Sequence, residues 1–105
     1  MDPTRIEFLT QALAANPDDR FARYALALEY SGSGNAAEAW PHFSYLLEHH
    51  PDYVPAYYQA GTYLARQGRM QQAREVLAKG IEAAQQKKDH HAASELQAAL
   101  DDLDL

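Results

Sequence analysis

The stretch PDDRFARYALALEYSGSG, residues 17–34, returns one repeat length later as PDYVPAYYQAGTYLARQG, residues 51–68, and this pair decides the fold. At an offset of 34, Pro17-Asp18 falls on Pro51-Asp52, Tyr24 on Tyr58, Ala27 on Gly61 and Gly34 on Gly68. A fixed offset of this length marks an architecture in which one supersecondary unit is repeated along the chain. Apolar positions follow the same register: Tyr30 maps onto Leu64, Phe43 onto Leu77, Leu47 onto Ile81, and Ala39 meets Ala73. The register also extends backwards, placing Leu9 on Phe43 and Leu13 on Leu47, so half a unit precedes the first full one.

Within each unit the apolar spacing is helical and nowhere alternates as a strand would. Six helices are expected, over 3–15, 19–31, 35–50, 53–67, 70–87 and 90–103. The breaks between them carry turn chemistry: Asn16-Pro17-Asp18, Ser31-Gly32-Ser33-Gly34, His50-Pro51-Asp52, Gln67-Gly68 and Lys88-Asp89. Asp18 and Asp52 are the expected N-caps of the second and fourth helices, and Thr4 with Glu7 has the spacing of a capping box. Pro55 belongs in a first turn, where its missing amide costs nothing. Pro41 falls inside the third helix, where a bent or loosened first turn is expected, with Trp40 oriented by it.

These residues resemble the tetratricopeptide repeat pattern, W-x-x-L-G-x-x-Y in a first helix, then an alanine and a bulky apolar residue in the second, with a closing proline. The first unit matches through Arg23, Leu26, Ala27 and Tyr30, then Ala39, Phe43 and Pro51. The second matches through Tyr57, Ala60, Gly61 and Leu64, then Ala73, Leu77 and Gly80. Arg23 departs from the aromatic of the pattern, and Gln85 from its closing proline, so the helix over 70–87 is expected to run on before turning. The resemblance implies an all-α fold, a right-handed stack of antiparallel helical hairpins of the α-solenoid kind. It covers 1–105 as one domain: a half-repeat helix at 3–15, repeats at 18–51 and 52–86, and a capping helix at 89–105.

In such stacks the first helix of each hairpin lines a concave groove that takes peptides. Carried over by position, the resemblance implies a groove of Phe21, Tyr24 and Leu28, continued by Tyr58, Gln59, Thr62 and Arg66. Tyr24 and Tyr58, one repeat apart, would form an aromatic ladder, and Arg66 would pair with a carboxylate. The carboxylate clamp of some family members needs Lys and Asn, where this chain has Tyr24, Leu28, Pro55 and Gln59, so a chaperone-tail adaptor is not expected. The expected function is a protein- or peptide-binding adaptor with a partner polypeptide and no cofactor. The alternative is self-association, as a homodimer or larger oligomer, through an imperfectly capped end of the stack, such as the alanine-rich last helix with its stripe Ala92, Leu96, Ala99, Leu100 and Leu103.

Composition narrows the remaining classes. The chain has 105 residues, 47% of them hydrophobic, and no cysteine, so neither a disulfide framework nor a thiolate site is available. A net charge of −6 opposes general nucleic-acid binding, which rests on neutralising phosphates. No apolar run nears the roughly 20 residues of a membrane span, and Met1-Asp2-Pro3-Thr4 carries no secretory pattern, so a cytoplasmic location is expected. Residues 66–88 hold Arg66, Arg69, Arg74, Lys79, Lys87 and Lys88, whereas 89–105 hold only acidic charges, two faces expected to attract one another. The histidines His42, His49, His50, His90 and His91 lack the ligand spacing of a metal motif. A metal-dependent protein built on the doublets is the third and most remote reading, and no catalytic constellation accompanies it.

Overall fold

The computed structural model describes residues 3–104, with side chains from Thr4 onward. Among these residues the element order is α1 (Pro3–Ala15), α2 (Arg20–Gly32), α3 (Ala36–His49), α4 (Pro55–Arg66), α5 (Met70–Gln86) and α6 (His90–Asp102). There is no strand among them. The chain forms two compact units, Met1–His50 and Pro51–Leu105, each with helices packed in chain order. In the first, α1 packs on α2 and α2 on α3; in the second, α4 packs on α5, α5 on α6, and α4 also touches α6.

Three junctions stop their helices in the same way. The Asn35 amide bonds the Tyr30 carbonyl at 3.0 Å, Arg69 that of Leu64 at 2.9 Å, and Asp89 that of Ala84 at 2.8 Å. Each closes a six-residue Schellman turn around a residue of positive φ, at Gly34 (83°), Gly68 (79°) and Lys88 (59°). The late turn after the fifth helix is therefore real, and it is made with a lysine where the other two use glycine.

The helix starts differ from the expected caps. Asp19, not Asp18, caps α2, its Oδ1 accepting from the Ala22 amide at 3.1 Å. The Asp18 carboxylate is occupied elsewhere, by Tyr45 and His50. Asp52 caps nothing: α4 starts at Pro55 behind a Val54 that is already helical, and no side chain caps it. Helix α1 is running by Pro3, which puts Thr4 inside the helix and not at the cap of a box with Glu7. Helix α3 continues through the exposed Pro41 without interruption.

Small residues set the closeness of the pairs. A Cβ on Gly61 would lie 2.5 Å from Leu77 Cδ2, and one on Gly80 would lie 2.5 Å from Tyr57 Cβ. In unit 1 a core of Leu9, Ala22 and Leu26 is flanked by Ile6, Ala12, Leu13, Ala25 and Tyr30. Phe43 and Leu46 are also fully buried in that unit, as are Leu64, Leu77 and Leu96 in the other. Each such side chain contributes about 1.5–3 kcal/mol by leaving water. No polar or charged residue is buried among the described residues. Between the basic and acidic stretches the exposed Arg74 pairs with Asp104 at 3.4 Å, while Lys87 faces Asp52 at 3.8 Å.

Candidate binding surface

In unit 1 the α2 residues Phe21, Tyr24 and Leu28 follow one another at three- and four-residue spacing, so they share the helix face turned away from the core residues Ala22 and Leu26. Phe21 is 67% exposed, and the Arg20 guanidinium lies 5.7 Å from its ring centre. Tyr24 and Leu28 are half-buried. Beside Leu28 an open depression of about 340 Å³ is lined by Arg5, Ala25, Glu29, Gly32 and Ser33. Arg5 Nε meets Glu29 Oε1 across it at 2.7 Å.

In unit 2 the α4 residues Tyr58, Thr62 and Arg66 fall at successive turns of one helix. Tyr58 is 38% exposed, and Arg66 is exposed beside the C-terminal end of the helix. Gln59 and Thr62 are half-buried. The Thr62 hydroxyl donates to its own helix, 2.9 Å from the Tyr58 carbonyl and 3.2 Å from that of Gln59, which leaves a partner only its lone pairs and methyl. A smaller depression of about 240 Å³ in this unit is lined by Pro51, Tyr57, Lys79, Glu82, Ala83 and Gln86, none of them an expected groove residue.

A cluster in unit 1 escaped the sequence reading. The Arg23 guanidinium carbon lies 3.7 Å from the Tyr45 ring centre, with Nη1 3.4 Å from His42 Nδ1 and Nη2 donating to the Pro17 carbonyl. Tyr45 donates to Asp18 Oδ1 at 2.8 Å, and His50 Nε2 meets the same oxygen at 2.8 Å. His49 tilts over the Tyr45 ring with centroids 4.2 Å apart, and His42 stacks on Tyr30 at 5.9 Å. The Tyr45 and then the His50 bonds hold the Asp18 carboxyl below its usual value, and the bond to Asp18 in turn pushes the Tyr45 phenol up. Burial, followed by the Arg23 charge, pushes His42 down.

The repeat explains this cluster. Arg23 stands at the position of Tyr57, and the Tyr57 hydroxyl donates to the Pro51 carbonyl at 2.6 Å, as Arg23 does to Pro17. Both side chains thus tie the turn before a first helix to that helix. The departure at Arg23 keeps the bond and changes the group that makes it; the signal available in the sequence was the paired Pro17 and Pro51. Among the described residues no three His, Asp, Glu or Cys side chains come together to hold a metal, and no helix is long and apolar enough to cross a membrane.

Helical pairs repeating at a fixed period, closed by Schellman turns and joined at small residues, define a helical-repeat protein. A family model described as tetratricopeptide repeat matches residues 30–100, and the chain belongs to the tetratricopeptide repeat family. It is similar to the solution NMR structure of a tetratricopeptide repeat domain protein from Salinibacter ruber. The two are 40% identical with a TM-score of 0.79, over 84% of this chain and 89% of that one. A crystal structure of a tetratricopeptide repeat domain protein from the same organism is 39% identical, with a TM-score of 0.78 over 83% and 97% of the two chains. A protein from Bordetella parapertussis, solved in solution, is 31% identical, with a TM-score of 0.80 over 98% and 89%. No curated protein matches the sequence. Domains of this family are in general protein-interaction scaffolds rather than catalysts, and the fold supports that role here.

Proposed function

We propose that the chain is an adaptor that binds a segment of another protein along the outward faces of its first helices. The contacts would come from Phe21, Tyr24 and Leu28 on α2 and from Tyr58, Gln59, Thr62 and Arg66 on α4. The observation that carries this reading is the exposure of two large rings, Phe21 at 67% and Tyr58 at 38%, on helices whose other large apolar side chains are half-buried or buried. An exposed ring offers contact area at low entropic cost, and a tyrosine adds a hydroxyl for a backbone group. Arg66 supplies a fork for a carboxylate on the partner. The self-association reading has less support. The stripe it relies on is largely used within unit 2: Leu96 is fully buried, and Ala92, Ala99, Leu100 and Leu103 are half-buried.

The test is selection of displayed peptides on the wild-type chain, followed by titration of the selected peptides against Phe21→Ala/Tyr58→Ala. Loss of both rings is expected to weaken binding by about tenfold or more, since buried aromatic anchors dominate interfaces. Peptides that bind the double variant as tightly as the wild type would remove these faces from the function.

A further inference from the structure

The smaller depression, in unit 2, has a counterpart in unit 1 that the chain fills with its own side chains. At the 34-residue offset the lining residues Pro51, Tyr57, Lys79, Glu82 and Ala83 fall on Pro17, Arg23, Tyr45, Glu48 and His49. In unit 1 three of these side chains stack. The Tyr45 ring centre lies 3.7 Å from the Arg23 guanidinium carbon, and His49 tilts over Tyr45 with centroids 4.2 Å apart. The Tyr45 hydroxyl ends the stack by donating to Asp18 Oδ1 at 2.8 Å. In unit 2 both of the α3 rings are replaced. Lys79 stands for Tyr45 and Ala83 for His49, and between these residues, Pro51 and Tyr57 lies an opening of about 240 Å³.

The rest of the setting is kept. Tyr57 donates to the Pro51 carbonyl at 2.6 Å, as Arg23 donates to that of Pro17, so the turn is held to the first helix in both units. Asp52 stands where Asp18 accepts from Tyr45. Burial first and the Asp52 charge second push the Tyr57 phenol up, so this carboxylate lies within electrostatic reach of the wall of the depression. The Asp52 side chain is 63% exposed and faces Lys87 at 3.8 Å, whereas Asp18 meets both Tyr45 and His50 at 2.8 Å. The exposed Lys79 puts a cation at the rim, where unit 1 draws its cation from Arg23 on α2.

We propose that this depression binds a tyrosine side chain of a partner polypeptide, seated as Tyr45 is in unit 1. The phenol ring lies against Tyr57 and Ala83 with the Lys79 ammonium over its face, and its hydroxyl donates to Asp52. Charge selects a neutral ring. Glu82 and Asp52 oppose a carboxylate or a phosphotyrosine, and Lys79 and Lys87 oppose a cationic side chain. A volume of about 240 Å³ suits one ring and falls short of the roughly 300–1,000 Å³ of sites for larger molecules. None of the groove residues on α2 and α4 lines this site, so it stands or falls apart from the aromatic faces of the adaptor.

The test titrates a capped Gly-Tyr-Gly peptide into the isotopically labelled full chain, followed by NMR. Saturable shifts are expected at Tyr57, Lys79, Ala83 and Gln86. A Gly-Phe-Gly peptide, which lacks the hydroxyl, should bind about tenfold more weakly, and Asp52→Ala should weaken the tyrosine peptide by about as much. Asp52 is exposed and caps no helix, so its removal leaves the fold intact. Lys79→Tyr/Ala83→His restores the filling of unit 1 and should abolish binding while keeping the circular dichroism of the wild type. Phe21→Ala/Tyr58→Ala should bind the peptide as the wild type does. Absence of saturable shifts at the lining residues, equal binding of the phenylalanine peptide, unchanged binding by Asp52→Ala, binding retained by the filled variant, or its loss in Phe21→Ala/Tyr58→Ala would each overturn the proposal.

Discussion

Replacing Gly80 by alanine sets two effects of opposite sign against each other, and the structure says which prevails. Alanine in place of glycine inside a helix gains about 1 kcal/mol from backbone entropy and propensity. Against this, the added Cβ would stand 2.5 Å from Tyr57 Cβ, 3.0 Å from Tyr57 Cγ and 3.1 Å from Leu96 Cδ2. Carbon atoms pack at about 3.5–4.0 Å, so α5 must move off α4 by about 1 Å. No rotation relieves the contact, because Tyr57 Cβ is fixed to the α4 backbone. Overpacking of this kind costs about 1–3 kcal/mol, and the shift also strains the Tyr57 hydroxyl bond to the Pro51 carbonyl at 2.6 Å. Overpacking less the propensity gain leaves about 0–2 kcal/mol, and weakening a hydrogen bond worth about 1 kcal/mol brings the expected net loss to about 1–3 kcal/mol, a fall in Tm on the order of 4–24 °C for a domain of this size. Urea unfolding followed by circular dichroism measures it, with Gly32→Ala as the matched control. A Cβ at Gly32 meets nothing within 4 Å, and that variant should equal or exceed the wild type. A Gly80→Ala chain as stable as wild type would refute the claim that this glycine sets the α4–α5 distance.

Lys88→Gly should stabilise the chain by about 1 kcal/mol, because Lys88 alone of the three Schellman positions holds a side chain at positive φ; an unchanged urea midpoint would contradict this. Arg23→Leu should cost about 1–3 kcal/mol by removing the Tyr45 stack and the bond to Pro17, whereas Arg23→Tyr, the residue used at position 57, should recover part of the loss. Equal midpoints for the two variants would show that the bond to Pro17 is immaterial. Asp18 has its folded pKa lowered by Tyr45 first and His50 second, so its contribution is complete above the usual 3.8 and is lost as pH falls through the folded value. Tyr45 is raised by the same bond, so its contribution is complete below the usual 10.0 and is lost as pH climbs through the folded value. Thermal melts across pH should therefore show Tyr45→Phe flattening the decline at both ends and Asp18→Asn flattening the acid end; curves parallel to wild type would refute the assignment.

Punctuation and register were legible in the sequence because both are local. Gly34 and Gly68 announce left-handed turns, and the 34-residue offset carries the apolar pattern through the first five helices. The same offset named the first helices, so the candidate face on α2 and α4 could be placed by counting. The caps were not legible. Asp18 and Asp19 are adjacent and chemically alike, and the choice between them depends on Tyr45 and His50, 27 and 32 residues away from Asp18. Arg23 looked like a departure from the repeat pattern until the Pro17 carbonyl was seen in reach of its guanidinium.

What the sequence determined by itself is the all-α repeat, its period and its family, since these follow from spacing along the chain. What only the tertiary structure decided is which side chains each helix has spent on its neighbours. Thr62 turns its hydroxyl to its own backbone, while Phe8 and Phe21 remain exposed on helices that bury their other faces. Spacing assigns a residue to a face; whether that face is covered depends on the helix packed against it, and that is a property of the folded chain.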